Sequence, residues 1–230
     1  MNSPPKLGKR LNEIFELIKQ AQENALYHSI WDCCCDHGYL GINILNEHLC
    51  ENLIFVDQLP HIINQLTDTL TRFYSNEADA EYKLIVADAG ELNFDSQYRH
   101  LVVLAGVGGD VIIKIIDAIE CNHPDVQVDY IFCPNSKQRV LREYLATQRF
   151  GLFSERLVCE NKRYYEVIYI QGKTRENSRT GELLSVPASC KLWDQYNIDH
   201  QRYLKKINAL RRSKKPLHKK KHRYTGRKNT

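Results

Sequence analysis

Short β-branched and aliphatic runs alternate along the chain with longer segments whose apolar positions recur every three or four residues. The short runs predict strands near 30–34, 53–57 ("LIFVD"), 83–87 ("KLIVA"), 100–105 ("HLVVLA") and 127–133 ("QVDYIFC"). Helical periodicity opens the chain in "KRLNEIFELIKQAQ" and fills the intervals near 39–48, 60–74, 109–120 and 136–147. Two further strands, near 152–159 and 164–171, are joined through "ENKR", a link that permits only an antiparallel hairpin. Strand–helix alternation of this kind predicts an α/β chain with a seven-stranded, mostly parallel sheet closed by that hairpin.

The character changes near residue 172. "GKTRENSRTGELLSVP" is polar and rich in turn formers, so 172–188 reads as a linker or surface excursion after a main domain over 1–171. Trp193, Tyr196, His200, Tyr203, Ile207 and Leu210 then recur at alternating spacings of three and four, predicting a helical extension over 189–212 with one apolar seam. The seam is shorter than three heptads, which favours packing on its own domain over a coiled coil between chains; the expected state is a monomer or weak dimer. Pro216 ends the helix, and 213–230 reads as a basic, disordered tail.

Charge sharpens this division. Thirteen of the 32 basic residues lie in 202–230 with none of the 28 acidic ones, so the rest of the chain sets 19 basic against 28 acidic residues. A tail so charged on an acidic body predicts a polyanionic partner such as RNA, with a solvated end as the plainer alternative. The expected RNA contacts are Lys214, Lys215, Lys219, Lys220 and Lys221 in the tail, and Lys9, Arg10, Arg139 and Arg142 as a local patch on the body. No run of 18 apolar residues exists and the N-terminus lacks an apolar signal core, so neither membrane nor export is expected and the location is predicted to be cytoplasmic. The eight cysteines show no C-x-x-C or Cys/His pairing of metal-site spacing. They read as reduced thiols serving as small hydrophobes, with no metal.

In an open α/β sheet the ligand lies at the carboxyl ends of the strands. The residues there are Asp32, Cys34, Asp36 and Gly38 after the first strand, Asp57 and Gln58 after the second, and Asp88 and Ala89 after the third. "AGVGG", containing Gly106, follows the fourth, and Pro134 with Asn135 follows the fifth. An acid ending the second strand suits ribose hydroxyls, and one after the third suits the amine of an adenine. The glycines that admit a pyrophosphate are replaced in the first turn by Cys34 and Asp36, and a carboxylate there repels phosphate but tolerates an ammonium and a sulfonium. This favours S-adenosylmethionine over a dinucleotide. Taken singly, each acid also fits an ordinary turn or helix cap.

The fragments "LGKRL", "DCCCDHGYLG", "AGVGG", "CPNSKQRVLREYL" and "ENKRYYEVIYI" resemble, in order, the motifs of the bacterial tRNA adenine-22 N1-methyltransferases, whose pattern runs L-S-x-R-L, D-I-G-S-D-H-A-Y-L-P, A-G-M-G-G, Q-P-N and Y-E-V. The resemblance spans residues 6–170. It implies a Rossmann-like class I methyltransferase fold with a C-terminal helical extension, S-adenosyl-L-methionine as cofactor and tRNA as substrate. Asp32, Cys34, Asp36, Gly38, Asp57, Gln58, Asp88, Ala89 and Gly106 would hold the cofactor. His37, Tyr39 and Asn135 would grip the target base, His37 by orienting, Tyr39 by stacking or hydrogen bonding, and Asn135 by pairing with a base edge. Four positions depart from the pattern: Gly8 for serine, Cys34 for glycine, Cys35 for serine and Gly41 for proline. The alternatives left open are a methyltransferase acting on rRNA or a small molecule, and an RNA-binding module with a vestigial methyltransferase fold.

Overall fold

The computed structural model describes residues 3–73, 82–148, 150–172 and 196–213, with side chains omitted at 208–213. The strands are β1 (Ser29–Cys33), β2 (Asn52–Asp57), β3 (Tyr82–Val86), β4 (Arg99–Ala105), β5 (Gln127–Cys133), β6 (Gly151–Glu160) and β7 (Arg163–Gln171). The helices are α1 (Lys9–Ala25), α2 (Tyr39–Asn46), α3 (Pro60–Phe73), α4 (Gly109–Asn122), α5 (Gln138–Thr147) and α6 (Ile198–Ser213). One seven-stranded sheet runs β3-β2-β1-β4-β5-β7-β6, parallel from β3 to β5, with β7 antiparallel to both of its neighbours.

Period-two alternation sorts the strand residues into two cores. Ile30, Leu53, Phe55, Leu101, Val103 and Ile131 face one layer, which receives Ile14, Leu17 and Ile18 of α1 together with the apolar faces of α2 and α3. Trp31, Cys33, Ile54, Val56, Val102, Leu104 and Phe132 face the other, under Ile112, Ile116 and Ile119 of α4 and Leu141 and Leu145 of α5. Both faces of the central strands are therefore buried, as a parallel sheet requires. β6 and β7 are joined by Asn161 and Lys162, both left-handed (φ 50° and 61°), which gives the two-residue turn the twist a tight hairpin needs.

The chain divides into two compact units, Met1–Trp193 and Asp194–Thr230. The described part of the second is α6. It starts later than the apolar spacing predicts, because the Asn197 side chain accepts from the backbone N–H of Asp199 (2.9 Å) and His200 (3.4 Å) and caps the helix there. Tyr196, expected in the seam, lies in the turn before the helix and is 84% exposed. Trp193, most of the 172–188 linker and the tail from 214 onward lie outside the described residues. α5 likewise begins at Gln138 rather than 136, since Lys137 is left-handed (φ 55°) and cannot extend the helix. No helix among the described residues is long and apolar enough to cross a membrane.

Candidate active site at the carboxyl ends of the strands

The chain leaves β1 toward β2 on one side and meets β4 on the other, so the loops after β1 and β4 diverge and open a crevice. Cys34 (φ 58°), Asp36 (φ 49°) and Gly38 (φ 67°) are left-handed and curl the first loop tightly. The amides of Cys34 and Cys35 both donate to the Val56 carbonyl (2.8 and 3.2 Å), pinning the loop to β2. Across the crevice, Gly106 (φ 92°) donates its N–H to Cys133 O (3.2 Å), and Asn135 donates its backbone N–H to Val107 O (2.9 Å). The Asn135 side-chain amide also donates to Gly106 O, which leaves its Oδ1 as the free end of that side chain.

Two connected hollows fill the crevice. One, of about 400 Å³, is bounded by Asp32, Asp36, His37, Tyr39 and Gly106. The other, of about 260 Å³, is bounded by Asp88, Ala89 and the Val111, Lys114, Ile115 and Ala118 face of α4. Cys34, Asp57, Gln58 and Val107 line both. Asp57 Oδ1 accepts from Leu59 N (3.0 Å) and Asp88 Oδ1 from Gly90 N (2.9 Å). Each acid thus holds its own turn with one oxygen.

Asp32 differs from these two. It is buried, its Oδ2 accepts from Gly41 N (3.1 Å), and burial raises its carboxyl to about 7 against the single opposing hydrogen bond. Gly41 stands where the related pattern has proline, which has no N–H to give. A Cβ at this position would also lie 2.1 Å from Phe55 Cε1, so the departure admits both the hydrogen bond and close α2–β2 packing.

The three cysteines split as period-two geometry demands. Cys33 faces the α4 core, while Cys34 and Cys35 border the crevice. Burial, reinforced by the charges of Asp57, Asp32 and Asp88, raises the Cys34 thiol to about 11. It is protonated near neutrality and unsuited to nucleophilic attack. His37 and Tyr39 stand at the mouth, 64% exposed at the His37 side chain and 41% at Tyr39, with ring centroids 5.6 Å apart at 37°.

The expected basic patch does not form. Arg142 is 3% exposed and bonded to Glu155 and Glu166, sealed within the α5–hairpin packing where RNA cannot reach it. Arg10 turns into the larger hollow, its Nη1 buried and without a hydrogen-bond partner among the described residues. Lys9 and Arg139 are exposed, Arg139 paired with Glu143 one turn along α5. Lys214, Lys215, Lys219, Lys220 and Lys221 lie outside the described residues. The α4 face that borders the smaller hollow was missed from sequence, although Val111, Lys114, Ile115 and Ala118 carry helical spacing directly after "AGVGG".

Strand order, crevice and acidic strand ends together define a class I methyltransferase architecture. The chain belongs to the methyltransferase domain family, whose model matches residues 7–168. Comparison with curated proteins returns no significant match. Among solved structures, Sp1610 of Streptococcus pneumoniae, determined with S-adenosyl-L-methionine, is 16% identical with a TM-score of 0.66, covering 90% of this chain and 91% of that one. M. capricolum TrmK, determined with S-adenosyl-homocysteine, is 19% identical with a TM-score of 0.60 over 90% of this chain and 97% of that one. The B. subtilis m1A22 tRNA methyltransferase TrmK is 22% identical with a TM-score of 0.59 over 73% and 67%. At these identities the likeness establishes the fold, and the substrate must be argued from the site.

Proposed function

We propose that the chain is an S-adenosyl-L-methionine-dependent methyltransferase whose acceptor is a base in structured RNA, namely N1 of an adenine in tRNA. The observation that carries the cofactor assignment is the ring of Asp32, Asp36, Asp57 and Asp88 around a crevice whose first turn presents side chains where a dinucleotide site presents glycine. Asp57 takes the ribose hydroxyls with the oxygen its turn leaves over, and Asp88 the adenine amine. Asp32 and Asp36 receive the ammonium of the methionine portion, with Cys34, Gly38, Gln58, Ala89 and Gly106 shaping the walls. When bound, the cofactor supplies an electrophilic methyl group.

Adenine N1 carries an in-plane lone pair, so the reaction needs no covalent enzyme intermediate and no thiolate. A protonated Cys34 agrees with that. The protein's task is then to orient the base and exclude water. Tyr39 and His37 offer ring faces at the mouth of the hollow. Asn135 presents Oδ1, an acceptor that suits the 6-amino group next to adenine N1. The tRNA assignment draws further support from the ordered motifs, from the two TrmK neighbours and from the basic excess of 202–230.

The test is incubation of purified protein with unmodified tRNA and methyl-labelled cofactor, followed by mass spectrometry of the nucleosides. N1-methyladenosine is expected. Labelling of rRNA or a small molecule in its place would overturn the acceptor, and absence of cofactor binding by calorimetry would leave an RNA-binding module.

A further inference from the structure

We infer that Arg10 is the anchor for the α-carboxylate of the methionine portion of the cofactor, set in the same hollow as the acids that take its ammonium. The inference rests on the cofactor reading above and deepens it. Arg10 sits in the first turn of α1 and lines the larger hollow with Asp32 and Asp36; among the described residues it is the only lysine or arginine to do so. Its surroundings hold the guanidinium without neutralising it. The plane lies over the Tyr165 ring at 5.5 Å, and the group also contacts the buried Cys133 thiol.

The nearest acid is otherwise engaged. Glu160 accepts from the backbone N–H of Arg10 through Oε1 (3.3 Å), capping the start of α1. Gly8 makes room for that carboxylate, since a Cβ there would stand 2.5 Å from Glu160 Oε1. This explains the departure from serine at position 8.

What remains is a buried guanidinium nitrogen, Nη1, with no acceptor, facing a hollow otherwise ringed by acids. A buried donor left unmade is costly, so such a group marks the place of a missing acceptor. An RNA phosphate on the outer surface cannot reach a nitrogen without solvent access; the end of a slender zwitterion inside the hollow can. The ammonium–carboxylate pair of an amino acid matches the opposed charges of Asp32 and Asp36 on one side and Arg10 on the other.

The test compares S-adenosyl-L-methionine with its decarboxylated analogue, which keeps the nucleoside, the sulfonium and the ammonium. Calorimetry on the full chain should show wild type preferring the intact cofactor by about 10- to 100-fold, the range for one charge-assisted hydrogen-bonded pair. Arg10→Met should reduce that preference to about threefold or less while binding the analogue as wild type does, which also verifies that the variant is folded; Arg10→Lys should restore part of it. If wild type binds both ligands equally, the inference is overturned without recourse to any variant. It is equally overturned if Arg10→Met weakens tRNA binding and leaves the preference intact. Failure of wild type to bind either ligand would remove the cofactor reading itself, and this inference with it.

Discussion

Two sets of charged residues occupy opposite roles in this molecule. At the amino ends of β4 and β5, Asp129 accepts from Tyr27 Oη, from Arg99 Nε (3.0 Å) and Nη2, and from Gly172 N (3.1 Å), and Tyr27 Oη meets Tyr169 Oη at 2.7 Å. Under the hairpin, Arg142 is held between Glu155 and Glu166. At the carboxyl ends the acids each give one oxygen to a turn, and the Arg10 Nη1 has no partner among the described residues. Saturated networks of buried charge fix packing, while under-saturated ones at a crevice are prepared for a ligand. Sequence alone does not separate them, since Arg10 and Arg142 both fall in motifs shared with the related family.

The sharpest way to break the comparison is to open a saturated network. Arg142→Met strands two buried carboxylates and should cost about 3–5 kcal/mol of folding stability, read by denaturant unfolding, with cofactor affinity unchanged in the folded fraction. If stability is unaffected, Arg142 belongs with the ligand-binding charges after all.

The converse change touches the crevice. Asp57→Asn keeps an acceptor for Leu59 N but removes the charge offered to the ribose, and should weaken cofactor binding by about 1.5–3 kcal/mol while moving the unfolding midpoint little. Wild-type affinity in this variant would defeat the assignment.

Proton linkage gives a third, smaller effect. Folded Asp32 titrates near 7 against an ordinary 3.8, so between those values the folded state holds a proton that the unfolded state has released. Its contribution therefore makes stability fall as pH rises through that window, with the penalty complete above about 7. Cofactor binding runs the other way. An ammonium prefers the ionised carboxylate, so affinity should drop up to about tenfold per unit below pH 7, and Asp32→Asn should flatten the profile. A titration by calorimetry from pH 5.5 to 7.5 that is flat in wild type would count against Asp32 as the ammonium partner.

The smallest effect belongs to Cys34. At φ 58° a side chain is strained, and Cys34→Gly should relieve up to about 1 kcal/mol while retaining or improving cofactor affinity. Loss of activity in a variant that still folds and binds cofactor would restore a chemical role to the thiol.

Local pattern carried most of the fold. Alternation in "LIFVD", "KLIVA" and "HLVVLA" placed strands within a residue or two, and the short "ENKR" link fixed the one antiparallel connection, because these choices depend on side-chain periodicity and chain reach. Strand ends followed, and with them the acids of the crevice. Boundaries went astray where one residue decided them: Asn197 through its side-chain cap, and Lys137 through a left-handed backbone.

Which charges meet a ligand and which meet one another is a matter of long-range contact. Arg142 lies 13 and 24 residues from its two partners, and Arg10 is 150 residues from the glutamate that caps its helix. Periodicity assigns a residue to a face but does not say what the opposite face brings to it. Only the closed sheet, by carrying β6 and β7 alongside β5, brought Glu155 and Glu166 to Arg142, brought Tyr165 and Glu160 to the start of α1, and left the Arg10 guanidinium turned toward the crevice.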